Sequence, residues 1–184
     1  MTARLRLALA GAALLVLTAC GGATTTSAGQ PGTDRGQTTA PSSGASADAR
    51  PVGSGITAST LDGAAFDFAD LSGRPTVLWF WAPWCTICRA EAPEIAAAAE
   101  RLGDDVAVLG VPGRGEVPDM EEFVSDTGVG DLEHVVDTDG EIWSAFGVIS
   151  QPAFAFIDAS GEARVVNGAM GGDDFEQAAR DLLG

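Results

Sequence analysis

The sequence predicts an α/β domain with a mixed central sheet flanked by helices, on three observations. Two continuous apolar runs, Thr76–Trp81 and 105–111, have strand length and no polar alternation, as expected of strands covered on both faces. Each run is followed by a helix-forming segment, 89–102 and 118–127. A closely spaced strand pair, Ala153–Ile157 and 163–166 around the turn Ala159-Ser160-Gly161-Glu162, then adds an antiparallel element.

The elements follow in order. Segments 56–59 and 65–68 flank Leu61-Asp62-Gly63, an Asp-Gly turn signal, and predict an N-terminal β-hairpin. Ser72-Gly73-Arg74-Pro75 is a turn into Thr76–Trp81, which reads as the central strand. Helix 89–102 carries Pro93 and is expected to kink there, at about its second turn. Pro112-Gly113 ends the second run, and Met120, Phe123 and Val124 give 118–127 an apolar face. Segment 132–136 reads as a short strand, Asp139-Gly140 as a turn and 141–146 as one or two helical turns. The last helix, 173–183, turns Phe175, Ala178, Ala179, Leu182 and Leu183 inward, with Asp173 or Asp174 as its cap.

The first fifty residues have a different character. Arg4 and Arg6 precede an apolar stretch from Leu7 to Val16, the pattern of a secretory signal and too short to span a bilayer as a helix. Leu17-Thr18-Ala19-Cys20 resembles a bacterial lipobox, which implies that 1–19 is a lipoprotein signal peptide and that Cys20 is lipidated. Of the 30 residues from Gly21 to Arg50, 24 are Gly, Ala, Thr, Ser or Pro, and none is Val, Ile, Leu, Met, Phe or Trp. Such a segment cannot bury enough apolar surface to offset its ordering entropy. Residues 20–50 are therefore expected to form a disordered tether, about 30 Å end to end by random-coil scaling. The folded domain is expected over 51–184. Its six arginines and absent lysines stand against 24 acidic residues, a formal charge of −18, which argues against nucleic acid or anionic lipid headgroups as partners.

The chemistry concentrates in Trp79-Phe80-Trp81-Ala82-Pro83-Trp84-Cys85-Thr86-Ile87-Cys88. An apolar strand ends in a Cys-x-x-Cys and a helix begins, so two thiols sit where the positive end of a helix dipole stabilises a thiolate. A disulfide across two intervening residues removes little chain entropy, so a structural staple is a poor explanation. A zinc site needs about four ligands, and His134 is the sole histidine. The pair therefore reads as a redox-active disulfide, with Cys85 as the nucleophile and Cys88, one turn further in, as the resolving thiol. Glu91 lies three residues beyond Cys88 on the same helical face, where it is either a proton carrier for Cys88 or an ordinary solvated glutamate. Trp79, Phe80, Trp81, Trp143 and Phe146 read as core, and His134 as structural.

Trp81-Ala82-x-Trp84-Cys85-x-x-Cys88, with Pro93 eight residues after the first cysteine, resembles the thioredoxin superfamily. The early Asp-Gly hairpin, Cys88-Arg89-Ala90-Glu91-Ala92-Pro93 and an inserted strand/helix segment between Asp105 and Asp137 are similar to its TlpA/DsbE-like extracytoplasmic branch. With the lipobox, the nearest likeness is to the DsbF/DsbE-like lipoproteins of actinobacteria. The resemblance spans about 56–183. It implies a thioredoxin-like fold and an enzyme that exchanges disulfides with exported, cysteine-bearing proteins. It further implies a membrane or extracellular redox partner, a lipid anchor at Cys20 on the outer face of the cell membrane, and no cofactor or metal beyond the Cys85–Cys88 disulfide. Ser150-Gln151-Pro152-Ala153-Phe154 falls where the family places its cis-proline loop. That implies a cis bond at Pro152, a strand-like backbone edge at Gln151 for substrate, and an exposed platform at Trp84.

Two departures stand out. Cytoplasmic thioredoxins carry a buried carboxylate six residues before the first cysteine, and Trp79 occupies that position here. The intervening dipeptide is Thr86-Ile87, neither Gly-Pro nor Pro-His, so the direction of electron flow cannot be copied from either relative. The resemblance to the actinobacterial lipoproteins favours oxidation of substrates. Reduction of apoprotein thiols, as in cytochrome c maturation, is the alternative. A Cu(I)-binding module would want further His or Met ligands nearby, yet only Met120 and Met170 follow the signal segment. A thiol peroxidase would want Pro-x-x-x-Thr-x-x-Cys, which Pro83-Trp84-Cys85-Thr86-Ile87-Cys88 does not match.

Overall fold

Six consecutive buried residues need cover on both sides, and the architecture is arranged around supplying it for Thr76–Trp81. The structure, a computed structural model, describes residues 55–184. The signal peptide, Cys20 and the tether lie outside the described residues. Within them the order is β1 (Thr57–Ser59), β2 (Ala65–Asp67), a 3-10 turn (Phe68–Leu71), β3 (Thr76–Trp81) and α1 (Thr86–Leu102). Then come β4 (Ala107–Pro112), α2 (Val117–Thr127), β5 (Glu133–His134), α3 (Glu141–Ala145), β6 (Ala153–Ile157), β7 (Ala163–Asn167), α4 (Gly172–Arg180) and a 3-10 turn (Asp181–Leu183).

The sheet runs β5-β4-β3-β6-β7, parallel from β3 to β5 and antiparallel at β6 and β7. β3 is central, and the mixed α/β class is as expected. Alternation along β3 sorts its side chains onto two cores. Val77, Trp79 and Trp81 face Ala92 and Ile95 of α1, Phe123 of α2 and Phe175 of α4. Leu78 and Phe80 face Phe68, Ile142, Trp143 and Phe146 on the other side. The hairpin β1–β2 forms a separate two-stranded sheet turned by Gly63 at φ 85°. It is tied to the β5 edge by a Thr60–Val135 bridge and by the Leu61 N–H donating to the His134 carbonyl at 2.9 Å.

Several local expectations need correction. Helix α1 begins at Thr86, three residues before the expected start, because Cys85 itself caps it in extended conformation. Its span to Leu102 includes Pro93. Phe68 does not end a strand. Asp67 Oδ1 accepts the Ala69 N–H at 2.8 Å and opens a 3-10 turn that buries the Phe68 ring. The strand expected over 132–136 is confined to Glu133 and His134; Val135 still donates its N–H to the Gly110 carbonyl of β4 at 2.8 Å while it bridges to Thr60 of the hairpin on its other side. Neither Asp173 nor Asp174 caps α4. Its N-cap is Gly171, both aspartates lie in the first turn, and Glu94 Oε2 accepts the Gly172 N–H at 2.9 Å from α1. Leu183 is exposed rather than inward, because α4 gives way at Asp181 to a tighter 3-10 turn that rotates it off the buried stripe.

Candidate active site

The carboxyl end of β3 delivers the dithiol. After Trp81 the Cys85 N–H turns back to the Ala82 carbonyl at 3.0 Å, and α1 starts at the next residue. Cys85 and Cys88 form a disulfide with their Cα atoms 5.3 Å apart. As the N-cap, Cys85 Sγ accepts the Cys88 N–H at 3.1 Å, one of the N–H groups that a helix start leaves without a partner in the helix. Cys88 is fully enclosed and Cys85 is 6% exposed, so Cys85 is the sulfur of the pair that opens to solvent.

Glu91 is not the solvated glutamate of the alternative reading. It is buried on α1, with Oε1 accepting the Trp79 indole N–H at 2.9 Å and Oε2 accepting the Met170 N–H at 3.3 Å. Burial pushes its carboxyl up to about 7, against the opposing pull of those two hydrogen bonds, and the Glu94 charge adds to the rise. Trp79 thus stands where cytoplasmic thioredoxins keep a carboxylate, and its indole holds one supplied by the helix opposite.

The cis-proline loop arrives by sheet register. Phe80 pairs with Ala153, so Pro152 enters β6 at the same sheet end that carries Cys85. The Gln151–Pro152 peptide is cis, and Pro152 is buried with its carbonyl accepting the Gly168 N–H at 2.9 Å. Trp84 is 59% exposed beside the disulfide, Ile87 is exposed on the first turn of α1, and Ile149 is 79% exposed just before the cis-proline. Three of the four exposed large apolar side chains among the described residues therefore lie on the segments that carry the dithiol and the cis-proline.

Sequence reasoning missed Arg114. Its carbonyl accepts the Trp84 indole N–H at 2.7 Å, and its guanidinium donates to Gln151 Oε1 at 3.1 Å and to the Ile149 carbonyl at 2.8 Å. The one signal available was a lone arginine between Gly113 and Gly115 just after a strand. His134 lies away from the dithiol, buried, with Nε2 paired to the Val129 carbonyl at 3.0 Å and its pKa lowered by burial. Among the described residues no three His, Cys, Asp or Glu side chains group as a metal centre, and no helix is long and apolar enough to cross a membrane.

A Cys-x-x-Cys at the start of the helix leaving the central strand of this sheet, beside a cis-proline, defines a thioredoxin-like protein. The chain belongs to the AhpC/TSA family, whose model matches residues 53–166. Soluble secreted antigen MPT53 of Mycobacterium tuberculosis is 44% identical over 112 residues, 61% of this chain and 64% of that protein. This chain thus spans about 64% of the length of the curated relative it matches there. Among solved structures, MTB dsbF in its mixed oxidized and reduced forms superposes with a TM-score of 0.69 at 42% identity, covering 72% of this chain and 98% of that one. A secreted Mycobacterium tuberculosis disulfide oxidoreductase homologous to E. coli DsbE gives 0.65 at 40% identity, over 68% and 95%.

Proposed function

We propose that this protein is an extracytoplasmic thiol–disulfide oxidoreductase that uses Cys85–Cys88 to oxidise cysteine-bearing exported proteins. The observation that carries this reading is the placement of the disulfide: its outer sulfur caps α1, and exposed Trp84, Ile87 and Ile149 lie on the segments around it. The likeness to a secreted disulfide oxidoreductase supports it.

In the oxidising direction a substrate thiolate attacks Cys85 Sγ and the disulfide breaks. Cys88 leaves as a thiolate and takes a proton, with Glu91 as donor from the same face of α1, directly or through water. A second substrate thiolate then attacks the substrate sulfur of the mixed disulfide. Cys85 leaves as a thiolate beside the Cys88 N–H, which favours its departure. The substrate loses two electrons, which the reduced pair holds until a membrane or extracellular disulfide partner reoxidises it; its two thiol protons pass to solvent as the attacking thiolates form, and one proton returns from solvent to Glu91. No further cofactor enters. Trp84 and the backbone at Gln151 and Pro152 line the substrate path. A lipid on Cys20 would hold the domain at the outer face of the cell membrane, and lipid labelling abolished by Cys20→Ser is the result expected.

The reverse reaction, reduction of apoprotein disulfides, uses the same atoms. Glu91 gives it specific support, because a carboxyl near pH 7 can accept the Cys88 proton when that thiol resolves a mixed disulfide. Redox titration of the 51–184 domain in glutathione buffers separates the two. A potential of about −120 to −180 mV supports the oxidase, and about −270 mV the reductase. Failure of Cys85→Ser and Cys88→Ser to alter exchange with a test protein would remove both.

A further inference from the structure

Arg114 takes no part in the electron or proton steps above, yet the backbone is built closely around it. It lies in the bend between β4 and α2 at φ 57°, the left-handed region that residues with side chains rarely occupy. The glycines on either side are pressed against neighbours. A Cβ at Gly113 would lie 2.9 Å from the Trp143 indole, and one at Gly115 would lie 2.4 Å from Pro83 Cγ. The 113–115 backbone thus threads between α3 and the turn that leads to Cys85. From that position Arg114 reaches Trp84 through its carbonyl, and both Ile149 and Gln151 through its guanidinium, which also lies 4.7 Å from the Trp143 ring centroid.

We propose that Arg114 is a positioning residue for substrate: it holds the Trp84 ring and the 149–152 loop as the two walls of a cleft that seats an extended apolar peptide across the disulfide. The proposal rests on the exchange reading above. Trp84 and Ile149 are exposed side chains on separate loops, and ordering them at each encounter would cost conformational entropy. Fixing the Trp84 ring and the backbone of Ile149 to one residue removes the part of that cost that belongs to the ring and to the loop before substrate arrives. The guanidinium suits the task, because its planar fork meets two acceptors at once where an ammonium is a point donor. Both acceptors are neutral oxygens, so the contact sets geometry and does not balance charge.

Arg114→Gly is the informative variant. Glycine accepts φ 57° and keeps the carbonyl that holds Trp84, so the side chain goes with its contacts to Ile149, Gln151 and Trp143 while the Trp84 contact stays. Oxidised protein is assayed with a two-cysteine peptide carrying apolar neighbours, and separately with dithiothreitol, which needs no cleft. The expected result is a peptide KM raised about tenfold, the loss of a charge-assisted contact, with kcat and the dithiothreitol rate changed by less than about twofold. Arg114→Lys is expected to behave like Arg114→Gly. An unchanged KM in Arg114→Gly, an equal loss with dithiothreitol, or full recovery in Arg114→Lys would overturn the proposal. A wild-type protein that dithiothreitol reduces but that exchanges with no peptide would overturn the exchange reading, and this proposal with it.

Discussion

The Trp79 indole N–H donates a buried 2.9 Å hydrogen bond to Glu91, joining the central strand to the helix that carries the dithiol. The bond keeps an acid in the core without a cationic partner, and desolvation holds its pKa near 7. Glu91 therefore binds its proton more tightly in the folded chain than in the unfolded one. Its contribution to stability is fully present below pH 4.5 and is lost as pH rises through about 7, a change of about 3 kcal/mol at most. Glu91→Gln removes the titration. Denaturant unfolding at pH 5 and pH 8 is expected to show the wild type losing more stability than the variant, and equal slopes would remove Glu91 as the source.

Trp79→Phe tests the same pair from the other side. The ring remains to fill the space beside Trp81 and Phe123, but Glu91 loses a donor that favours its charged form. The pH inflection of exchange is expected to move above 7 and stability at pH 8 to fall by about 1–3 kcal/mol, the cost of a buried acceptor left unpaired. An inflection that stays in place would show that the indole does not tune the acid.

Burial sets the outcome of the two cysteine variants. Cys88 is fully enclosed and Cys85 slightly open, so a mixed disulfide is expected at Cys85, and when reduced Cys85 attacks a substrate disulfide Cys88 is the thiol expected to resolve it. Cys88→Ser is expected to trap substrate as a covalent adduct visible on non-reducing gels. Cys85→Ser should form none, leaving a thiol too enclosed to react. Adducts of equal yield from both would reverse the assignment.

Much of the frame was legible because it is local. Thr76–Trp81 and Ala153–Ile157 match the expected strands residue for residue, since uninterrupted apolar runs bounded by turns carry their own limits. The start of α1 was read late because periodicity begins only at its apolar residues, while the cap is a cysteine doing double duty. β5 came out shorter because its neighbours on both sides, not its composition, decide where pairing stops. The two thiols could be located from spacing, and Pro152 from the family resemblance. The burial of Glu91 could not, because it depends on an indole from β3 and a backbone N–H from the loop before α4. Arg114 was hidden for the same reason, its partners lying 30 to 37 residues away in the chain.

Gly110 supplies the last prediction. It pairs with His134 across β4 and β5 and with Trp79 across β3, in the middle of the sheet that leads to the cysteines. A Cβ there would lie 2.0 Å from Nδ1 and 2.6 Å from Cε1 of His134, and 2.8 Å from Nε1 of Trp81. These are atoms of rigid, buried rings, so Gly110→Ala cannot be absorbed by a side-chain end swinging aside. The variant is expected to lose about 1–3 kcal/mol of stability, the usual cost of overpacking. The clash is specific, and that makes it separable. His134→Ala alone should also destabilise, by removing a buried ring and its bond to the Val129 carbonyl. In the double variant the ring that meets the new methyl is gone, so the two losses should sum to more than the observed loss by about 1 kcal/mol or more. Additive losses in chemical denaturation would show that Gly110 is required for its backbone alone. Coupled losses would place the His134 ring against Gly110 as the reason this strand position takes no side chain.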